Sequence, residues 1–139
     1  MPITKLSPVE AREAIQEWTA AVNALFQQVQ QWIAEERPNW QIEFSSADVT
    51  EASSGSYAVP VLEISAPIGR LMLEPVGRDV FGARGRIDLY AWPSHYRVML
   101  LRSFTSDEWV IRTGSGIDWP QPWGKPGFLA VADRLLSAA

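Results

Sequence analysis

The sequence predicts an α+β fold: a long N-terminal helix packed on a five- to six-stranded antiparallel meander sheet, closed by a short C-terminal helix. Three observations carry that expectation. Residues 8–36 repeat apolar side chains at steps of three and four, residues 40–113 alternate them in short runs, and residues 128–138 return to helical spacing. Strands and helices do not alternate, and no glycine-rich loop opens a helix, which argues against a Rossmann-type or P-loop domain.

Ser7-Pro8-Val9-Glu10 marks the start of the first helix. A serine cap accepts a backbone N–H, proline suits the first helical position, and the glutamate reaches back to the cap. Ile15, Trp18, Val22, Leu25, Val29 and Trp32 form a stripe, which Phe26 and Ile33 widen to a core-facing surface. Pro38 cannot continue the helix and disfavours helical geometry at Arg37, so it spans 8–36. The stripe is expected to lie on a sheet. A homodimer through this helix is the competing expectation, weakened by tryptophan at seam positions.

After Pro38 the period changes. Trp40, Ile42 and Phe44 alternate with Gln41 and Glu43 as a half-buried strand, whereas Ser45–Ser56 is polar, with Ser53-Ser54-Gly55-Ser56 the clearest loop in the chain. Tyr57–Ile64 is a second strand, in which Pro60 calls for an edge or a bulge. Leu71–Glu74, Arg86–Trp92, Tyr96–Phe104 and Trp109–Thr113 complete the set. Gly69-Arg70, Gly77-Arg78 and Gly85-Arg86 recur at eight-residue intervals through this region, as expected of turns or strand edges. Residues 114–127 form a loop of tryptophan, proline and glycine before the closing helix over 128–138. A chain of 139 residues holds all of this in a single domain, 1–139, with one core.

Hairpin registers follow from the turns. A turn at Pro93-Ser94 pairs Leu89 with Val98 and Ile87 with Leu100, and one at Ser106-Asp107 sets Phe104 against Trp109. One face then collects Ile87, Leu89, Ala91, Tyr96, Val98, Leu100, Phe104, Trp109 and Ile111 as core beneath the helix. The opposite face collects Arg84, Arg86, Asp88, Tyr90, Trp92, Arg97, Met99, Leu101, Val110 and Arg112, joined by Arg70, Met72 and Glu74. Glu74 is expected opposite Arg86, and the face as a whole holds an excess of arginine.

Composition narrows the function. Cysteine is absent, which excludes disulfides, thiolate metal sites and cysteine nucleophiles. The net charge of -4 argues against a nucleic-acid partner, which needs a basic footprint. No apolar run approaches the roughly 20 residues of a membrane span. The N-terminus lacks the plan of a secretory signal, so no membrane association and a cytoplasmic location are expected. His95 is the only histidine and sits beside a turn, and there is no Gly-x-Ser-x-Gly elbow or calcium-loop spacing. No catalytic residue, metal or cofactor is assigned, and the expectation leans against an enzyme.

The leading expectation is a non-enzymatic protein–protein interaction module, an accessory protein of chaperone-like or immunity-like type. Its partner-binding residues would be Arg70, Arg84, Arg86 and Arg97 with Trp119 and Trp123, meeting a protein that presents an acidic contact group. Arginine and tryptophan each combine large contact area with directional donors, and the proline-rich loop would display the two indoles. The alternative is a small-molecule binder or enzyme with a cavity between the helix and a curved sheet, using Asp88 and His95 as ligand or acid–base groups.

Overall fold

The computed structural model describes residues 5–113 and 121–138. Trp119 and the rest of segment 114–120 lie outside the described residues. Two helices and seven strands are present among those described: α1 (Pro8–Glu36), β1 (Gln41–Glu51), β2 (Gly55–Ala66), β3 (Gly69–Gly77), β4 (Arg86–Trp92), β5 (Val98–Arg102), β6 (Trp109–Arg112), β7 (Gln121–Pro122) and α2 (Lys125–Ala138). The strands form one antiparallel meander in sequence order. No helix among the described residues is long and apolar enough to cross a membrane.

The first helix begins where its cap chemistry dictates. Glu10 N–H donates to Ser7 Oγ at 3.2 Å, and Ser7 N–H donates to Glu10 Oε1 at 3.0 Å. Its stripe is spent on the chain's own core: Trp18, Val22, Leu25, Phe26, Val29 and Ile33 are buried against the sheet. A helix-mediated dimer would therefore have only the outward, polar face to use. At the far end Arg37 and Lys125 tie α1 to α2, through Arg37–Asp133 at 2.7 Å and Lys125–Glu36 at 2.7 Å. The second helix starts at Lys125 rather than Phe128, because Phe128 N–H already closes a helical turn onto Gly124 C=O at 2.9 Å.

The sheet core matches the expected face where the strands pair as expected. Leu89 pairs with Val98 and Ile87 with Leu100, although the connection spans residues 93–97 rather than two. Elsewhere the pairing slips by two residues, which keeps every side chain on its face. Leu73 faces Leu89, Glu74 faces Asp88 rather than Arg86, and Arg102 rather than Phe104 faces Trp109. Tyr96 and Phe104 leave the core list: β5 spans only Val98–Arg102, so both lie beyond its ends and are exposed. At the C-terminal end Thr105 N–H bonds Ser103 Oγ, and Glu108 N–H bonds Ser106 Oγ. These local serine bonds turn the chain before Phe104 can pair.

The largest difference is at the first hairpin. The polar segment Ser45–Ser56 is mostly strand: β1 and β2 pair without a break from Gln41↔Ser65 to Glu51↔Gly55, and the loop expected at Ser53–Ser56 shrinks to a turn over residues 52–54. Its serines, threonine and aspartate sit on a ribbon that is solvated along much of its length, so apolar alternation is lost although the strand persists. Pro60 faces Ser46 beyond the last β2–β3 pair, Leu62↔Leu73, where its missing N–H leaves no ladder bond unmade. Burial also changes phase along β2 without a change of register, from Val59 and Val61 on one side to Leu62 and Ile64 on the other. The strong twist of a two-stranded ribbon turns its distal half over.

Candidate functional site

The outer face of the sheet holds most of the arginines read from the sequence, and all of these but Arg112 are already engaged. Arg70 pairs with Glu63 at 3.0 Å. Arg86 grips Asp88 in a two-point bond, Nε to Oδ1 at 2.7 Å and Nη2 to Oδ2 at 3.2 Å. Arg97 lies over the Tyr90 ring, its guanidinium carbon 3.4 Å from the centroid, and Tyr90 in turn donates to Glu74 Oε2 at 2.8 Å. Burial, followed by that bond to Glu74, raises the pKa of Tyr90 above its ordinary value. The expected arginine excess is absent, since Glu43, Glu63, Glu74 and Asp88 share this face with Arg70, Arg86, Arg97 and Arg112. Arg112 is the exception among these arginines: it is exposed and has no ion pair among the described residues.

Arg84 is not on this face. Arg84 N–H donates to Arg102 C=O at 2.9 Å, while Arg102 N–H donates to Gly85 C=O at 3.0 Å. Two residues thus oppose one, a bulge that reverses the alternation and turns Arg84 toward α1. There it donates to Ser103 C=O at 2.8 Å, Ser106 C=O at 3.1 Å and Asp107 Oδ1 at 2.8 Å.

The same bulge seats Arg102, which sequence reasoning missed. Its side chain is buried beneath α1 and holds Glu17 through Nη1 at 2.8 Å and Nη2 at 2.6 Å, with Asp107 at 3.1 Å from Nη2. The available signal was parity, because Arg102 follows Val98 and Leu100 on the core-facing positions. Arg102 Nε and the neighbouring Trp18 Nε1 are buried without a hydrogen-bond partner among the described residues. The bond from Arg102 is the main cause holding the Glu17 carboxyl below its ordinary value, and bonds from Arg84 and then Arg102 do the same for Asp107. Carboxylates with depressed folded values contribute stability above their unfolded values and lose it as pH falls through the folded ones. Wild-type unfolding midpoints in urea are therefore expected to drop below about pH 4.5, with a shallower drop for Arg102→Leu. Parallel pH profiles for the two proteins would contradict the assignment.

Between β3 and β4 the chain makes a small loop closed by the Val80–Ala83 bridge and a left-handed Gly82 (φ 82°). At its apex Phe81 is fully exposed, with a relative accessibility of 104%, and Phe104 stands near it at 63%. The two rings border a cleft of about 580 Å³ that also meets Glu17, Asp79, Val80 and Arg84. On its other side Phe81 walls a groove of about 370 Å³ with Arg86, Met99, Leu101 and Arg112. Loops carry no periodicity, so only the exposed phenylalanine itself could have signalled this ridge.

Trp123 is packed rather than displayed. Its ring lies 5.2 Å from Trp32 and 5.6 Å from Phe128, and its Nε1 donates to Gln28 Oε1 at 2.9 Å. His95 is exposed in the 93–97 connection, whereas Asp88 is buried at mid-strand and held by Arg86. The layer between α1 and the central strands is filled by Trp18, Leu25, Phe26, Leu73 and Leu89, while toward the end of the sheet a cleft of about 430 Å³ opens between α1 and β6–β7, lined by Ala24, Leu25, Gln28, Trp109, Val110 and Pro122. Among the described residues no three His, Asp or Glu side chains converge as metal ligands. Comparison with protein-family models, curated proteins and solved structures finds no match for this chain.

Proposed function

We propose that the chain is a non-enzymatic protein-interaction module whose contact surface centres on the Phe81 ridge, flanked by Phe104 and Arg112. The observation that carries this reading is the pair of exposed phenylalanines from separate loops beside an arginine with no ion pair among the described residues. An exposed aromatic side chain costs hydration free energy that burial by a partner recovers, and aromatic and arginine side chains dominate binding hot spots. Arg112 supplies the cation for an acidic contact group. Arg70 and Arg86 are already matched by neighbouring carboxylates, and Arg97 rests on Tyr90.

A photo-crosslinking phenylalanine analogue at position 81 tests the reading in cells that express the protein natively. A discrete adduct is expected, weakened about tenfold by Arg112→Glu, with the melting temperature unchanged by Phe81→Ala. A Phe81→Ala protein that melts early, together with a crosslink pattern no different from that of an analogue at exposed Ala130, would overturn it.

A further inference from the structure

β1 opens the sheet, and among the described residues no segment pairs with its outer edge. Natural edge strands are blunted by brevity, proline, lysine or a bulge. This one has 11 residues in unbroken register, contains no proline, lysine or arginine, and has no buried residue. It does carry acid. Glu43 and Asp48 are exposed and make no ion pair among the described residues, while Glu51 is committed to the hairpin tip.

Pro60 fixes which backbone groups point outward. It faces Ser46 and has no N–H to give β1, so this pair takes a non-hydrogen-bonded position of the ladder. Alternation then directs the N–H and C=O groups of Ile42, Phe44, Ser46, Asp48 and Thr50 away from β2. That spacing matches the ladder an incoming strand requires. Phe44, half exposed and resting on Phe26 at 6.3 Å between ring centroids, adds an apolar landing point.

We propose that the free edge of β1 takes up an extended antiparallel segment of another protein. That segment carries lysine or arginine opposite Glu43 and Asp48 and an apolar side chain opposite Phe44. A second copy of this chain is disfavoured, because β1 paired with itself joins two acidic strands with no cation on either. The edge is a different surface from the Phe81 ridge and does not depend on it.

The probe is a short synthetic peptide of alternating threonine and valine with lysine at the two positions opposite Glu43 and Asp48. On binding, amide exchange at Ile42, Phe44, Ser46, Asp48 and Thr50 is expected to slow about tenfold, with no slowing at the residues between them. Replacing the two lysines by glutamate weakens binding about fivefold, and Glu43→Lys/Asp48→Lys reverses the preference. Ser46→Pro removes an outward donor and abolishes binding at an unchanged melting temperature, since that N–H bonds nothing in the β1–β2 ladder. Phe81→Ala binds the peptide like the parent. Equal affinity for the lysine and glutamate peptides, unaltered exchange along β1, or normal binding by folded Ser46→Pro would overturn the proposal. So would a dimer that Ser46→Pro dissociates, which would assign the edge to a second copy.

Discussion

Replacing Trp18 by alanine is expected to cost about 3–5 kcal/mol of unfolding free energy, the range for deleting a large aromatic ring from a packed core. Trp18 is 1% exposed and lies 6.0 Å from Trp109 between ring centroids, so it ties the N-terminal half of α1 to β6. Its ring also lies directly on the chain at Gly85, where an added Cβ would come within 2.2 Å of Trp18 Cζ3. Gly85 is therefore a close-approach position, and Gly85→Ala should cost about 1–3 kcal/mol or more by forcing a buried indole aside. The two changes should not add. In Trp18→Ala/Gly85→Ala the new methyl enters space the indole has vacated, so the double variant should lose less than the sum. Urea titration of the three variants against wild type reads the coupling directly. Strict additivity would mean that the indole can move away from Gly85 at no cost.

That contact shows what the sequence could and could not convey. Gly85 was legible as punctuation within the Gly-Arg series, but the reason for it is a ring 67 residues earlier in the chain, which no local pattern encodes. Features set by neighbouring residues were readable: the Ser7–Glu10 cap, the helical stripe, and the pairing of Leu89 with Val98. Features set by exceptions to alternation were not. A bulge at Arg84–Gly85 moved Arg84 off the outer face, and a serine-stabilised turn left Phe104 exposed. The candidate site suffered most. Arg70 and Arg86 were placed on the correct face, but their carboxylate partners depend on cross-strand register and rotamer, and Phe81 sits in a loop without a period. Trp119 lies outside the described residues, and Trp123 proved to pack on Trp32 and Phe128.

The first hairpin, whose polar distal half extends further as strand than its apolar alternation indicates, yields the other large expected effect. Glu51→Ala should cost about 2–4 kcal/mol, because one carboxylate satisfies several donors that lose water on folding. Glu51 accepts from Arg78 N–H at 3.0 Å, from Asp79 N–H at 2.6 Å and from the Tyr57 hydroxyl. Burial and then the bond to Glu51 push the Tyr57 hydroxyl well above its ordinary value, so it remains a donor throughout the physiological range. The carboxylate also lies 2.9 Å from where a Cβ on Gly77 would sit, and Gly77 has a positive φ of 155°. Glycine lets the backbone approach the acid closely enough to be gripped, which fastens the tip of a long two-stranded ribbon to the start of the β3–β4 loop. The variants should therefore be graded. Glu51→Gln keeps one acceptor oxygen and should lose less than Glu51→Ala, while adding Tyr57→Phe to Glu51→Ala should recover about 1 kcal/mol by removing a stranded donor. Amide exchange supplies a second measure: in Glu51→Ala, opening should accelerate in the distal halves of β1 and β2 and leave α1 and β4 near wild-type rates. If exchange accelerates uniformly across the chain, the clamp is part of the global cooperative unit and does not act as a local fastening of the hairpin.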